Sequence, residues 1–213
     1  MTIAITLKYL HWLAPVINED DVRSACQVVR IEPHPAGGAL LIATDGHVMM
    51  VIHDARAIVD VSCSFAPSRV LLRAASAVDD SKLISLPEDY ENSPLGEFRA
   101  ENFVDWRRVI PTGELRGPAA FNINVAMLFR NVARAAENAS GIGGAPLIVW
   151  AAPKDVGNVV TARGLPQFFG LIMGLRADSM EQPSIPQWLR SDAVMATEEV
   201  PPSPDPVSTE TAA

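Results

Sequence analysis

The sequence predicts an α+β fold made of repeated units, each a single helix packed on antiparallel strands. Three observations carry that expectation. Apolar residues recur at helical spacing in three separate stretches, and runs of β-branched and aliphatic residues bounded by turn residues follow them. Hydrophobic residues make up 48% of the 213 positions, which is enough for a sizeable core.

The first helix is expected over residues 5–14, where Leu7, Leu10 and Leu13 are apolar, Lys8 and His11 stand three apart, and Pro15 ends the run. Strands are expected over Val22–Glu32 and Ala39–Thr44, parted by a Pro-Ala-Gly-Gly turn at 35–38, and then over Val48–His53. A second helix is expected from Pro67 to Val78, because proline suits a first turn and Val70, Leu71 and Ala74 recur at helical spacing. Only a short strand over Lys82–Leu86 follows it, and Pro87–Gly96 reads as an acidic, turn-rich loop. The third helix, Asn124–Glu137, places Val125, Leu128, Phe129, Val132 and Ala136 on one face, with Asn122 or Asn124 as cap. Strands over Leu147–Ala151, Gly157–Ala162 and Phe168–Leu175 complete that unit. The expected organisation is a domain over 1–100 (a unit over 1–60 and an abridged one over 61–100), a linker over 101–117, a half domain over 118–177, and a tail over 178–213.

Charge narrows the function classes. Seventeen Lys and Arg against 25 Asp and Glu give a net charge of −8, which excludes a surface that grips nucleic acid all round. Residues 177–213 hold seven acids and one base, so the tail carries −6 and the body only −2, leaving room for a local basic face. The tail's Pro, Ser, Glu and Thr cannot bury enough apolar area to offset chain entropy, and disorder is expected from about residue 192. Cys26 and Cys63 sit in apolar, strand-like runs without metal-ligand spacing and read as buried thiols; no metal or cofactor is expected. No apolar run approaches the ~18 residues of a membrane span, and the N-terminus lacks a targeting pattern, so a cytoplasmic protein is expected. An enzyme would have to draw on Asp45 with His47, or His53 with Asp54, and no nucleophile elbow, phosphate loop, HExxH or paired CxxC accompanies them. A binding protein is the expectation.

Three segments, in order, carry a family resemblance. Ala43-Thr44-Asp45-Gly46-His47 follows a strand and precedes Val48-Met49; upstream stand a short helix and an Asp-x-Arg approach within Asn18–Glu32. Phe103 to Pro111 reads FVDWRRVIP, and Leu171 to Arg176 reads LIMGLR. Together these resemble the bacterial DNA polymerase III beta subunit (sliding clamp) family, of which the chain looks like a shortened, divergent member. The resemblance implies a DNA-clamp-like fold, abridged relative to a full three-domain clamp. It also implies a hydrophobic peptide-binding groove where the three segments meet, made by Thr44, Gly46, His47, Val48, Met49, Arg108, Val109, Leu171, Ile172, Met173, Leu175 and Arg176. Met49, Val109, Ile172 and Met173 suit an apolar floor, and Gly46 suits a tight turn between strands. Val48 stands where the family usually has Arg, Met49 where it has Leu, and Val104 and Gly174 where it has Pro, which bears on partner preference.

Clamps of this kind meet double-stranded DNA without reading its sequence, through basic residues on helices that line a hole. Here Lys8 and His11, Arg69 and Arg73, and Arg130 and Arg134 each share a helical face and are the corresponding DNA-binding candidates. The implied function is a processivity factor that tethers polymerase or clamp-loader-type proteins and assembles as a homo-oligomeric ring. The alternative is a clamp-like adaptor or decoy that binds clamp-interacting proteins without encircling DNA. In the tail, Gln187-Trp188-Leu189 loosely resembles a clamp-binding peptide.

Overall fold

The computed structural model describes residues 3–78, 82–86, 93–100, 103–111, 123–140, 147–151 and 157–173. Asn122, Leu175, Arg176, the tail and its Gln187-Trp188-Leu189 stretch lie outside them. In chain order the elements are β1 (Ile3–Thr6), α1 (Leu7–Leu13), β2 (Val29–Pro33), β3 (Ala39–Thr44), β4 (Val48–Asp54), β5 (Ile58–Val59), β6 (Cys63–Pro67) and α2 (Arg69–Ala75). They continue with β7 (Leu83–Ser85), β8 (Gly96–Arg99), α3 (Ile123–Ala126), α4 (Arg130–Ser140), β9 (Leu147–Trp150), β10 (Asn158–Ala162) and β11 (Phe168–Ile172). A 3-10 turn over Met127–Phe129 joins α3 to α4.

Eight strands form one antiparallel sheet in the order β8-β6-β2-β3-β4-β11-β10-β9, and β5-β1-β7 form a second, smaller one. The joint between β4 and β11 links distant parts of the chain. It pairs Ile52 with Phe168 through to Val48 with Ile172, so residues more than a hundred positions apart share one strand-to-strand contact.

Period-two alternation sorts the strand residues onto two faces. On one, Val29, Ile31, Leu41, Ala43, Met50, Ile52, Phe65, Val160, Phe168 and Ile172 meet the apolar sides of the helices: Leu10 and Leu13 of α1, Leu71 and Ala75 of α2, and Phe129, Val132 and Ala136. The helix α2 starts where Ser68 Oγ accepts a hydrogen bond from the Leu71 N–H at 3.1 Å, satisfying one free donor of the first turn. Gly170 of β11 allows the helix segment to come close, since a Cβ there would lie 2.6 Å from Phe129 Cε1. On the opposite face, Ile42, Met49, Val51, Val159 and Leu171 form a smaller cluster covered by Phe103, Trp106 and Ile110.

Several expectations need correction. Residues 5 and 6 are the end of β1 rather than the start of a helix, because Ile3–Thr6 pairs with β5 and β7. The strand expected over Val22–Glu32 begins only at Val29; Ser24–Cys26 is a 3-10 turn, and Val22 is fully exposed. The cause is local hydrogen bonding: the Asp21 carboxylate accepts from the Arg23 N–H at 2.8 Å and bends the chain before it can enter the sheet. β1, β5 and β8 fall outside the expected strands, and β6 coincides with the strand-like run around Cys63.

Cys26 is buried on that turn and Cys63 is half-buried on β6. Burial pushes the Cys26 thiol up and the Cys63 thiol up to about 11. We therefore expect both to react with a disulfide reagent at pH 8 at least roughly tenfold more slowly in the native chain than in the denatured one. Native rates equal to the denatured rates would contradict this placement.

Among the described residues no helix is long and apolar enough to cross a membrane.

Candidate functional site

The turn between β3 and β4 is built by its own side chains. Asp45 Oδ1 accepts from the His47 and Val48 N–H groups at 2.8 and 2.7 Å, and Thr44 Oγ1 donates to the Val48 carbonyl at 2.7 Å while accepting from the Gly46 N–H at 3.0 Å. Gly46 has φ +86°, and a Cβ there would fall 2.2 Å from Arg23 Nη1. Arg23 packs over this turn. Its Nε and Nη2 donate to the two Asp21 oxygens at 2.9 and 2.7 Å, and Nη2 also donates to the Asp45 carbonyl at 2.7 Å. Those hydrogen bonds from Arg23 lower the Asp21 carboxyl to about 2 and raise the guanidinium.

The closing strand runs beside this turn, with Leu171 opposite Met49 and the Met173 N–H donating to the His47 carbonyl at 2.8 Å. A third segment, 103–110, crosses the outer face of the sheet and turns in a 3-10 helix over Trp106–Val109. Trp106 is buried against Ile42, Met49, Val51, Val159 and Leu171. Arg107 lies over its ring, with Cζ 4.2 Å from the centroid, and donates from Nη2 to Glu32 Oε2 at 2.8 Å.

These three segments and the Arg23–Cys26 turn enclose a cleft of about 350 Å³ lined by Arg23, Ala25, Cys26, Thr44, Gly46, His47, Val48, Met49, Val104, Asp105, Trp106, Val109, Leu171 and Met173. Its floor is apolar (Met49, Leu171, Trp106, Cys26), and Val104, Val109 and Met173 stand half-exposed around it. A larger hollow of about 510 Å³ lies elsewhere, beside Glu19, Asp20, Glu97 and Arg99, but without such a floor.

Of the groove candidates, Thr44, Gly46, His47, Val48, Met49, Val109, Leu171 and Met173 line this cleft. Ile172 does not: it is 1% exposed and lies in the helix-side core, because alternate residues of β11 face opposite ways. Arg108 is not among the lining residues either; its exposed guanidinium pairs with Asp105 at 2.9 Å. Leu175 and Arg176 lie outside the described residues. Arg23, Ala25, Cys26, Val104, Asp105 and Trp106 line the cleft without having been anticipated there. All of them fall within the stretches that carried the resemblance, so adjacency along the chain was the available signal.

The helix-face candidates divide. α1 packs beside both α2 and α4, and the Asn131 side chain donates to the His11 carbonyl at 2.8 Å. Burial lowers the His11 imidazole from its ordinary value, and the nearby charges of Arg134, Lys8 and Arg130 push it the same way, which places four of the six candidates in one neighbourhood. At neutral pH His11 is therefore predominantly uncharged. Arg69 on α2 is ion-paired with Glu19 at 2.7 Å, which offsets its charge; Arg73 is exposed.

The residues of the enzyme reading have structural partners. Asp45 holds its turn, and buried Asp54 accepts from the Thr6 N–H and hydroxyl at 2.6 and 3.1 Å and from the Arg56 N–H at 3.1 Å. His53 is hydrogen-bonded through Nε2 to the Gly37 carbonyl at 2.9 Å and packs on His34.

No protein-family model and no curated protein sequence matches this chain. Solved structures do resemble it. The DNA polymerase III subunit beta of Pseudomonas aeruginosa is 13% identical, with a TM-score of 0.59 over 83% of this chain and 66% of that one. The beta subunit of Borrelia burgdorferi is 14% identical, with a TM-score of 0.55 over 83% and 64%. That of Thermotoga maritima is 9% identical, with a TM-score of 0.56 over 85% and 66%. This chain therefore spans slightly less than two thirds of the length of those proteins. With helices on one face of an antiparallel sheet whose first and last segments join at β4 and β11, the chain has the fold of the DNA polymerase III beta subunit sliding clamps, in shortened form.

Proposed function

We propose that the chain is a sliding-clamp-like processivity factor whose cleft receives a short peptide from DNA polymerase or clamp-loader-type partners. The observation that carries this reading is the convergence of residues 44–49, 104–109 and 171–173 on one apolar cleft with a polar rim. A Pseudomonas aeruginosa sliding clamp has been solved bound to griselimycin, which supplies a second probe. The test is fluorescence anisotropy with a labelled peptide carrying a glutamine followed by leucine and phenylalanine anchors, and competition by griselimycin. Saturable binding supports the reading; no binding up to millimolar peptide rejects it.

The same proposal assigns double-stranded DNA to the helix face through Lys8, Arg130 and Arg134. These cations sit within an otherwise acidic chain, so contact would be weak, mobile and salt-sensitive. Reversing both arginines (R130E with R134E) is expected to cut retention on nicked circular DNA roughly tenfold at low salt, with peptide affinity unchanged. Undiminished retention would remove DNA from this face. Ring assembly in a cytoplasmic setting belongs to the same proposal, with β8 and β9, the two edges of the large sheet, as the surfaces for joining copies.

A second reading, an adaptor that occupies clamp-binding proteins without encircling DNA, is favoured by the Arg69–Glu19 pair, which offsets one of the helix-face cations. Light scattering combined with nicked-circle retention separates the two. A ring-sized oligomer that escapes on linearisation supports the clamp, and a peptide-binding monomer indifferent to DNA supports the adaptor.

A further inference from the structure

We infer that Glu32 and Arg107 are positioning residues for the groove, holding Trp106 in place from behind without contacting the peptide. The inference rests on the peptide-binding reading above. One groove wall is the 103–110 segment, which supplies Val104, Asp105, Trp106 and Val109 and belongs to no strand. Its own packing on the sheet comes from Phe103, Trp106 and Ile110. Beyond that packing, an ion pair spanning 75 residues ties it down, from Arg107 Nη2 to Glu32 Oε2 at 2.8 Å.

This pair is enclosed on the glutamate side, unlike a bridge between two exposed side chains. Glu32 projects from β2 with a side chain only 14% exposed, and its second oxygen accepts from Arg30 Nε at 3.2 Å. Burial would raise its carboxyl, but the hydrogen bonds from Arg107 and Arg30 outweigh burial and hold it below the usual carboxylate range. The Arg107 guanidinium thus bridges that carboxylate and the Trp106 ring 4.2 Å away, with its side chain 59% exposed. The 103–107 segment separates two cavities: the apolar groove, and a smaller one of about 250 Å³ that Arg30, Glu32 and Arg107 line. A shift of the indole would reshape the groove floor, because Trp106 lines the groove itself and belongs to the same buried cluster as Met49 and Leu171.

The test uses the full chain and the labelled glutamine-leucine-phenylalanine peptide. Wild type, E32Q, R107M, the double variant, R107K and the remote control E97Q are compared by anisotropy and dissociation rate. E32Q and R107M are each expected to bind about tenfold more weakly through faster dissociation, and the double variant no more weakly than the worse single one, because both changes cut the same link. R107K, which can still reach Glu32 and lie over the indole, is expected within about threefold of wild type, and E97Q within about twofold. Wild-type binding with E32Q and R107M both within twofold overturns the inference and leaves the groove reading standing. Failure of wild type to bind overturns both. If near-UV circular dichroism shows that E32Q does not fold, R107M against R107K decides alone: weakening by R107M without rescue by R107K counts against positioning.

Discussion

Replacing Asp54 with alanine is expected to lower the thermal unfolding midpoint by about 10 °C, the largest stability effect of any single side chain outside the apolar core. Asp54 is 1% exposed at the end of β4, and its two oxygens accept from the Thr6 N–H at 2.6 Å, the Thr6 hydroxyl at 3.1 Å and the Arg56 N–H at 3.1 Å. Thr6 is itself buried and is the residue where β1 ends and α1 begins, without a side-chain cap of its own. The Asp54 carboxylate is therefore what satisfies the backbone at that junction. Alanine would strand a buried N–H and a buried hydroxyl together, at roughly 1–3 kcal/mol each, giving about 3–4 kcal/mol. For a folded body of this size that corresponds to about 2–4 °C per kcal/mol. Asparagine keeps one acceptor oxygen and should lose about half as much. A midpoint within 2 °C of wild type for D54A, measured by calorimetry, would show that water or another group replaces the carboxylate.

The same junction shows why part of the fold was hidden in the sequence. Ala39–Thr44 and the core of Val48–Asp54 were legible because their apolar runs are bounded by turn residues whose chemistry is local. Ile3–Thr6 was not, because Leu7, Leu10 and Leu13 extend a helical pattern up to its edge, and what makes it a strand is pairing with residues 58–59 and 83–85. β6 is legible only as a strand-like run around Cys63, because Cys63–Pro67 is short and ends in proline; its place between β2 and β8 is set by pairing. At the cleft, the identity of the three converging segments came from family resemblance; no periodicity states that residues 49 and 171 are neighbours. Within β11, however, period two alone separates Leu171 and Met173 from Ile172, and assigning all three to one groove overlooked a rule that the sequence already carried. Arg23, Cys26 and Trp106 were not assigned to the groove because the 3-10 turns over Ser24–Cys26 and Trp106–Val109 bring them there, and such short turns leave no repeating pattern to read.

The largest functional effect is expected from Val109→Asp, which should weaken labelled-peptide binding at least about 100-fold while moving the unfolding midpoint by no more than about 2 °C. Val109 is 41% exposed on the wall of the cleft, so an aspartate there stays hydrated in the free protein and costs the fold little. Closing a peptide over the cleft would strip that water. The new carboxylate would then face Met173 and Leu171 across an apolar floor, a desolvation cost of several kcal/mol against a ligand selected for apolar anchors. Met127→Asp is the matched control: Met127 is 55% exposed on the helix side and outside the cleft, so the same change of chemistry should leave affinity within about twofold. A loss common to both variants would point to a general charge effect on an already acidic chain. Retention of affinity within threefold by V109D, with wild type binding, would place the peptide somewhere other than between residues 44–49 and 171–173. Val109 is a groove-wall residue that combines substantial exposure with a position beside the buried Trp106, where shape and solvation are both set by the protein before any ligand arrives.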